Sequence, residues 1–178
     1  ALTPLSLDPS NPFPFMSNLS TSWGFVLRDN ATAETVNVRV KVPTTIQQWL
    51  PLRSGVPAGE RCCISLHEVV RHNAYKLFPG VTIEHAMLFR LSRNADIAIE
   101  EDRDNSIREL VEEQVRQRRF QPVVRLEFDE SPHAEIRHGL MDQFELRDSD
   151  VYELPGLFDY TTLLGIASLP EAQLRDTP

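Results

Sequence analysis

Between Met87 and Glu100 the side chains alternate. Met87, Phe89, Leu91, Ala95, Ile97 and Ile99 fall on one phase, and Arg90, Ser92, Asn94, Asp96 and Glu100 on the other. A period of two over that length is the pattern of a strand with one face in a core. Arg93 falls on the apolar phase. A buried guanidinium without an acceptor is very costly, so one must exist. In one reading the strand breaks at 92–95, Asn94 takes a turn or bulge, and Arg93 donates to carbonyls or to Asp96. In the other, Arg93 and Asn94 project into a site on another domain.

The rest of the chain supplies partners for such a strand. Residues 1–15 carry four prolines, which remove donors and favour extended backbone, so they read as a lead-in arm outside the core. A strand near 23–28 and "TVNVRVKVP", with Val36, Val38, Val40 and Val42 on one face and Asn37, Arg39 and Lys41 on the other, flank the turn residues "RDNATAE" and form a hairpin. "RSGVPAGE" reads as a loop and 61–64 as a short strand. A helix over 65–78 follows, with Ser65 as a cap and Leu66, Val69, Val70, Tyr75 and Leu77 on one side, and "FPG" ends it. Residues 104–120 have the strongest helical pattern, with Ile107, Leu110, Val111 and Val115 as its stripe, acids early and arginines late, as the helix dipole favours. A strand at 122–128 (Val124, Leu126 and Phe128 inward), a helix at 132–146 (Ile136, Leu140, Met141, Phe144), a short strand at 150–154 and a helix at 159–169 complete the order. A hairpin followed by interleaved helices and strands predicts an α+β domain, a mixed β-sheet with helices packed on it.

Charge narrows the function. The chain of 178 residues has a net charge of −8. From Glu127 to Asp159 ten acids face two arginines, a balance that equals the charge of the whole chain. From Arg116 to Arg125 there are four arginines and no acid. An acidic chain with one basic patch is a poor general nucleic-acid binder. Cys62 and Cys63, adjacent, form no disulfide framework, which indicates a reducing compartment. There is no signal-peptide pattern. With Ala1 in place of an initiating Met, the chain reads as a fragment or a processed product.

Familiar catalytic patterns fail. "HEVVRH" and "HAEIRH" place their histidines five apart, about 140° around a helix, where zinc needs four. There is no Gly-rich phosphate loop, dinucleotide fingerprint or nucleophile elbow. Arg116, Arg118 and Arg119 either decorate a helix C-terminus or clamp a phosphate, and Arg125 on the next strand would extend that patch.

Six stretches, in order, resemble one family: "LTPLSLDPSNPFPFMSNLS" (2–20), "RVKVPTTIQQWLPL" (39–52), "LHEVVRHNAYKLFPG" (66–80), "LFRLSRNADIAIEED" (88–102), "ELVEEQVRQRRFQPVVRLEF" (109–128) and "DVYELPGLFDYTTLLGIASL" (151–170). They are similar to the middle, or head, domain of bacterial polyphosphate kinase; "RSGVPAGERCCIS" departs from the shorter connection usual there. The resemblance implies a domain over 21–170, with 1–20 a Pro-rich lead-in and 171–178 a tail toward further domains, and a fold similar to the phosphohistidine-phosphatase-like fold. For the full-length enzyme it implies reversible transfer of the terminal phosphate of ATP to polyphosphate, using Mg2+ and a phosphorylated histidine. It places those catalytic, ATP and metal groups in other domains, so no catalytic, cofactor-binding or metal residue is carried onto this chain. The implied partners are other domains of the same polypeptide, a second copy through the head domain, and polyphosphate. The implied location is cytoplasmic, with the full-length enzyme a candidate for the inner-membrane periphery. Arg93, Asn94 and Asp96 remain structural or interdomain candidates, and Arg116, Arg118, Arg119 and Arg125 a phosphate-contact patch. Two rival roles are a self-sufficient binding module for polyphosphate or nucleotide, and an independent phosphohistidine hydrolase.

Overall fold

The structure, a computed structural model, describes residues 2–8, 13–94, 121–129, 132–156 and 158–169. The predicted helix over 104–120, Asp96, the arginines Arg116, Arg118 and Arg119, and the tail from 171 lie outside the described residues. Strand β2 (Thr21–Asp29) turns into β3 (Thr35–Lys41), antiparallel to it. Asp29 makes the turn by accepting the backbone N–H groups of Ala31 and Thr32 at 2.7 and 3.0 Å, the local bonding that suits Asp to such positions. The long β6 (Val81–Arg93) pairs antiparallel with β2, β7 (Val123–Phe128) antiparallel with β6, and β8 (Val151–Glu153) parallel with β7. With β1 (Pro4–Ser6) on the far edge the order is β1-β3-β2-β6-β7-β8, a mixed sheet. Strands β4 (Trp49–Pro51) and β5 (Cys63–Ser65) form a separate pair.

Both faces of this sheet are covered, and that explains its centre. Helix α1 (Leu66–His72) packs Leu66 and Val70 against Trp23, Phe25, Leu27, Val40, Val42 and Leu88. Helix α2 (Ala134–Phe144) packs Ile136 and Leu140 on the opposite face, against Val26, Met87, Phe89, Leu91, Leu126 and Phe128. Each buried large apolar side chain contributes about 1.5–3 kcal/mol. At Gly24 helix α2 packs on the sheet at ordinary contact distance, since a Cβ there would stand 3.4 Å from Ile136 Cδ1 and Met87 Cγ.

Several sequence expectations are corrected. The lead-in is part of the core: β1 pairs with β3, Met16 is buried, and Phe13 packs edge-on to Phe144 at 5.5 Å. On β3, Arg39 is buried (3%), because the strand's second face lies under residues 13–20, while Val36 is exposed (42%) at the strand's start although Val40 and Val42 on its face are buried. On β7, Arg93 pairs with Val123 but Ser92 with Arg125. Val124 is therefore the extra residue of a bulge and is exposed, while Val123 is buried. The helix predicted over 65–78 stops at His72. Asn73 ends it, its backbone and side-chain N–H groups taking the Val69 carbonyl at 3.2 and 2.9 Å. A 3-10 turn follows at Ala74–Lys76 and leaves Tyr75 exposed. Ser65 precedes α1 without a side-chain cap bond. The last predicted helix is a 3-10 turn (Tyr160–Leu163) followed by the short α3 (Leu164–Ala167).

Candidate functional site

The apolar phase of β6 ends at Arg93, and the strand ends there too. The β7 bulge shifts the register between Ser92 and Arg93, so the guanidinium meets carbonyls the sheet no longer uses. Its Nε and Nη2 donate to Met16 O at 3.1 and 2.9 Å, and Nη1 to Gln121 O at 2.7 Å. Its backbone N–H donates to Asn18 Oδ1 at 2.8 Å. The same group lies 5.4 Å from the Phe15 ring centre and 5.8 Å from that of Phe144. Burial holds its pKa below the ordinary arginine value. Asn94 extends the pairing, its N–H donating to Pro122 O at 2.9 Å.

Two cations of β3 reach the same strap. Arg39 donates from Nε to Ser22 Oγ at 3.0 Å and from Nη1 to Phe15 O at 3.4 Å. Lys41 Nζ donates to Ser17 Oγ at 2.7 Å. Phe15, Met16, Ser17 and Asn18 thus each accept a bond, in turn from Arg39, Arg93, Lys41 and the Arg93 backbone. The sequence concealed this, because valines on alternate positions of β3 made Arg39 read as solvent-facing. The available signal was β2, apolar on both phases at Trp23, Phe25, Val26 and Leu27, which marks a strand covered on both sides.

Arg125 stands apart on β7. It pairs with the nearly buried Glu127 at 2.7 Å and lies over the Tyr152 ring at 4.3 Å.

The opposite face holds a cleft of about 670 Å3 lined by His67, Glu68, Arg71, Glu84, His85 and Asp129. Asp129 continues β7 in place of a strand residue. Its N–H donates to Leu88 O at 3.0 Å and its Oδ2 accepts from Leu88 N at 2.9 Å, while Oδ1 is buried without a partner. Burial raises its pKa, against opposing effects from the Leu88 amide, His85 and Arg71. The folded state therefore binds the proton more readily than the unfolded one. The resulting stabilisation is present at low pH and is lost as pH climbs through the raised value. For Asp129→Asn the gain in melting temperature over wild type is expected to grow as pH rises above the ordinary aspartate range. A gap constant with pH would show that Asp129 does not titrate abnormally.

Among the described residues, Ser65, His67 and Glu68 do not form a catalytic relay. Ser65 Oγ lies 3.2 Å and Glu68 Oε1 3.9 Å from one and the same nitrogen of His67, Nε2, whereas a nucleophile–base–acid chain needs opposite ring nitrogens. Burial lowers the pKa of His67, partly offset by Glu68. Cys62 and Cys63 are free thiols.

The family model of the polyphosphate kinase middle domain matches residues 1–166. The chain belongs to that family. It is 42% identical to a polyphosphate kinase of Synechocystis over 99% of this chain and 25% of that protein. It is 34% identical to one of Streptomyces coelicolor over 98% of this chain and 22% of that protein. The crystal structure of polyphosphate kinase from Porphyromonas gingivalis superposes with a TM-score of 0.70 and 16% identity, over 99% of this chain and 24% of that one; at that identity the likeness is one of fold. The chain thus spans about a quarter of the length of these relatives. In this polyphosphate kinase middle domain the three-cation clasp fixes how residues 13–20 cross the sheet. Among the described residues no helix is long and apolar enough to cross a membrane.

Proposed function

We propose that the full-length protein carrying this domain reversibly transfers the terminal phosphate of ATP to polyphosphate, with Mg2+, and that this domain supports assembly and interdomain geometry without making or breaking bonds itself. The observation that carries the reading is the family match over residues 1–166 in a chain about a quarter the length of its relatives. Electrostatics agree. A channel for a polyanion needs net positive charge, and this chain has −8. Phosphoryl transfer rests on positioning and on cations or metals around the phosphate. In this reading the partners are other segments of the same polypeptide and a second copy of it.

The test compares residues 1–178 alone with the longer protein. Incubated with ATP, Mg2+ and a polyphosphate primer, the 178-residue chain is expected to give no polymer above background, and the longer protein to lengthen the primer. Synthesis by the short chain would overturn the non-catalytic assignment. Failure of the longer protein, folded and supplied with both substrates, would overturn the activity.

A further inference from the structure

Arg39 is 3% exposed, yet its hydrogen-bond partners are all neutral: the Ser22 hydroxyl and the Phe15 carbonyl. Its Nη2 donates to none of the described residues. Lys41 lies two residues along β3, on the same side of the sheet and about 7 Å away. Its ammonium is exposed and shares only the Ser17 hydroxyl. Among the described residues no carboxylate stands within ion-pair distance of either cation. Burial brings Arg39 down to about 10, and burial together with repulsion from Arg39 lowers Lys41. Among the described residues the groups beside the pair are two serine hydroxyls and a carbonyl, with no acid to neutralise it. A bound anion would relieve both the repulsion and the unfilled donor.

The donor types select the anion. Arg39 Nη2 offers N–H groups to one oxygen of a tetrahedral oxyanion, an ammonium adds a mobile point charge, and a serine hydroxyl donates to another oxygen. We propose that Arg39, Lys41 and Ser17 form an oxyanion site that takes phosphate, free or as part of a polyphosphate chain. The choice of phosphate rests on the function proposed above; the oxyanion chemistry does not. The site uses one arginine and one lysine, both outside the Arg116–Arg125 run.

Calorimetric titration of the 178-residue chain at low salt tests this, with inorganic phosphate in one arm and tripolyphosphate in the other. Saturable one-site binding is expected. Tripolyphosphate binding at least about tenfold tighter than phosphate assigns the site to the chain, and equal affinity assigns it to the free ion. Lys41→Met should weaken binding by at least about tenfold while lowering the melting temperature far less than Arg93→Ala does, because the Lys41–Ser17 bond is exposed. Lys76→Met removes the same charge from the 3-10 turn after α1 and should leave affinity unchanged. No saturable heat from the wild-type chain, or equal losses in the two lysine variants, would overturn the proposal. The measurement involves neither ATP nor turnover. A longer protein that fails to make polyphosphate would therefore sink the proposed function without touching this site, and an absence of binding would leave the family role standing.

Discussion

Arg93→Ala is expected to destabilise the chain by about 2–3 kcal/mol and to lower its melting temperature by about 4–12 °C. The guanidinium donates to two carbonyls from opposite sides of the fold, Met16 O in the lead-in and Gln121 O before β7. Charge-assisted hydrogen bonds of this kind contribute about 1.5–3 kcal/mol each in favourable cases. The expected loss falls below their summed range of about 3–6 kcal/mol, because the group is partly exposed and solvent replaces some of what is lost. Truncation also removes the cation from between Phe15 and Phe144. Arg93→Lys is expected to recover less than half of the loss, since a single ammonium cannot reach both carbonyls in the geometry of a fork. Thermal melts by circular dichroism decide the matter. An unchanged melt for Arg93→Ala would remove the anchoring role and leave Arg93 to a contact with another domain.

How far the fold could be read from the sequence follows from what alternation reports. It reports local period, and so it located β2, β3, β7 and α2 within a few residues. It does not report whether a strand's second face is covered. At β3 that ambiguity sent Arg39 outward, and the structure buries it, because residues 13–20 fold across that face, while the valine face stays inward at Val40 and Val42. It is equally blind to a residue inserted by a bulge, hence the error at Val124. Proline content misled for a related reason. It predicts extended backbone correctly, but an extended segment can be a strand and can bury side chains, as β1 and Met16 do. The site was legible at Arg93, since a guanidinium on an apolar phase is a contradiction that demands acceptors. It was not legible at Arg39 or Lys41, which looked like the ordinary wet face of a hairpin.

The bulge in β7 makes a prediction opposite to strict alternation. Phe89→Ala is expected to destabilise by about 3–5 kcal/mol, a large share of the roughly 5–15 kcal/mol that holds a domain together. Phe89 is fully buried, its ring centre 6.2 Å from that of Phe128, its partner across the β6–β7 ladder. Strand β6 joins the β1-β3-β2 half of the sheet to the β7-β8 half, so a cavity there loosens both halves at once. The register that sets Phe89 opposite Phe128 also sets Val123 inward and Val124 outward. Val123→Ala is therefore expected to cost about 1–2 kcal/mol and Val124→Ala less than about 0.5 kcal/mol, although plain alternation with Leu126 and Phe128 ranks them the other way. Urea unfolding with a common slope reads all three as shifts in midpoint. A larger shift for Val124 than for Val123 would mean that β7 pairs without the bulge. Arg93 would then lose the offset that brings it to the Met16 and Gln121 carbonyls, and the clasp would have to be held by other bonds.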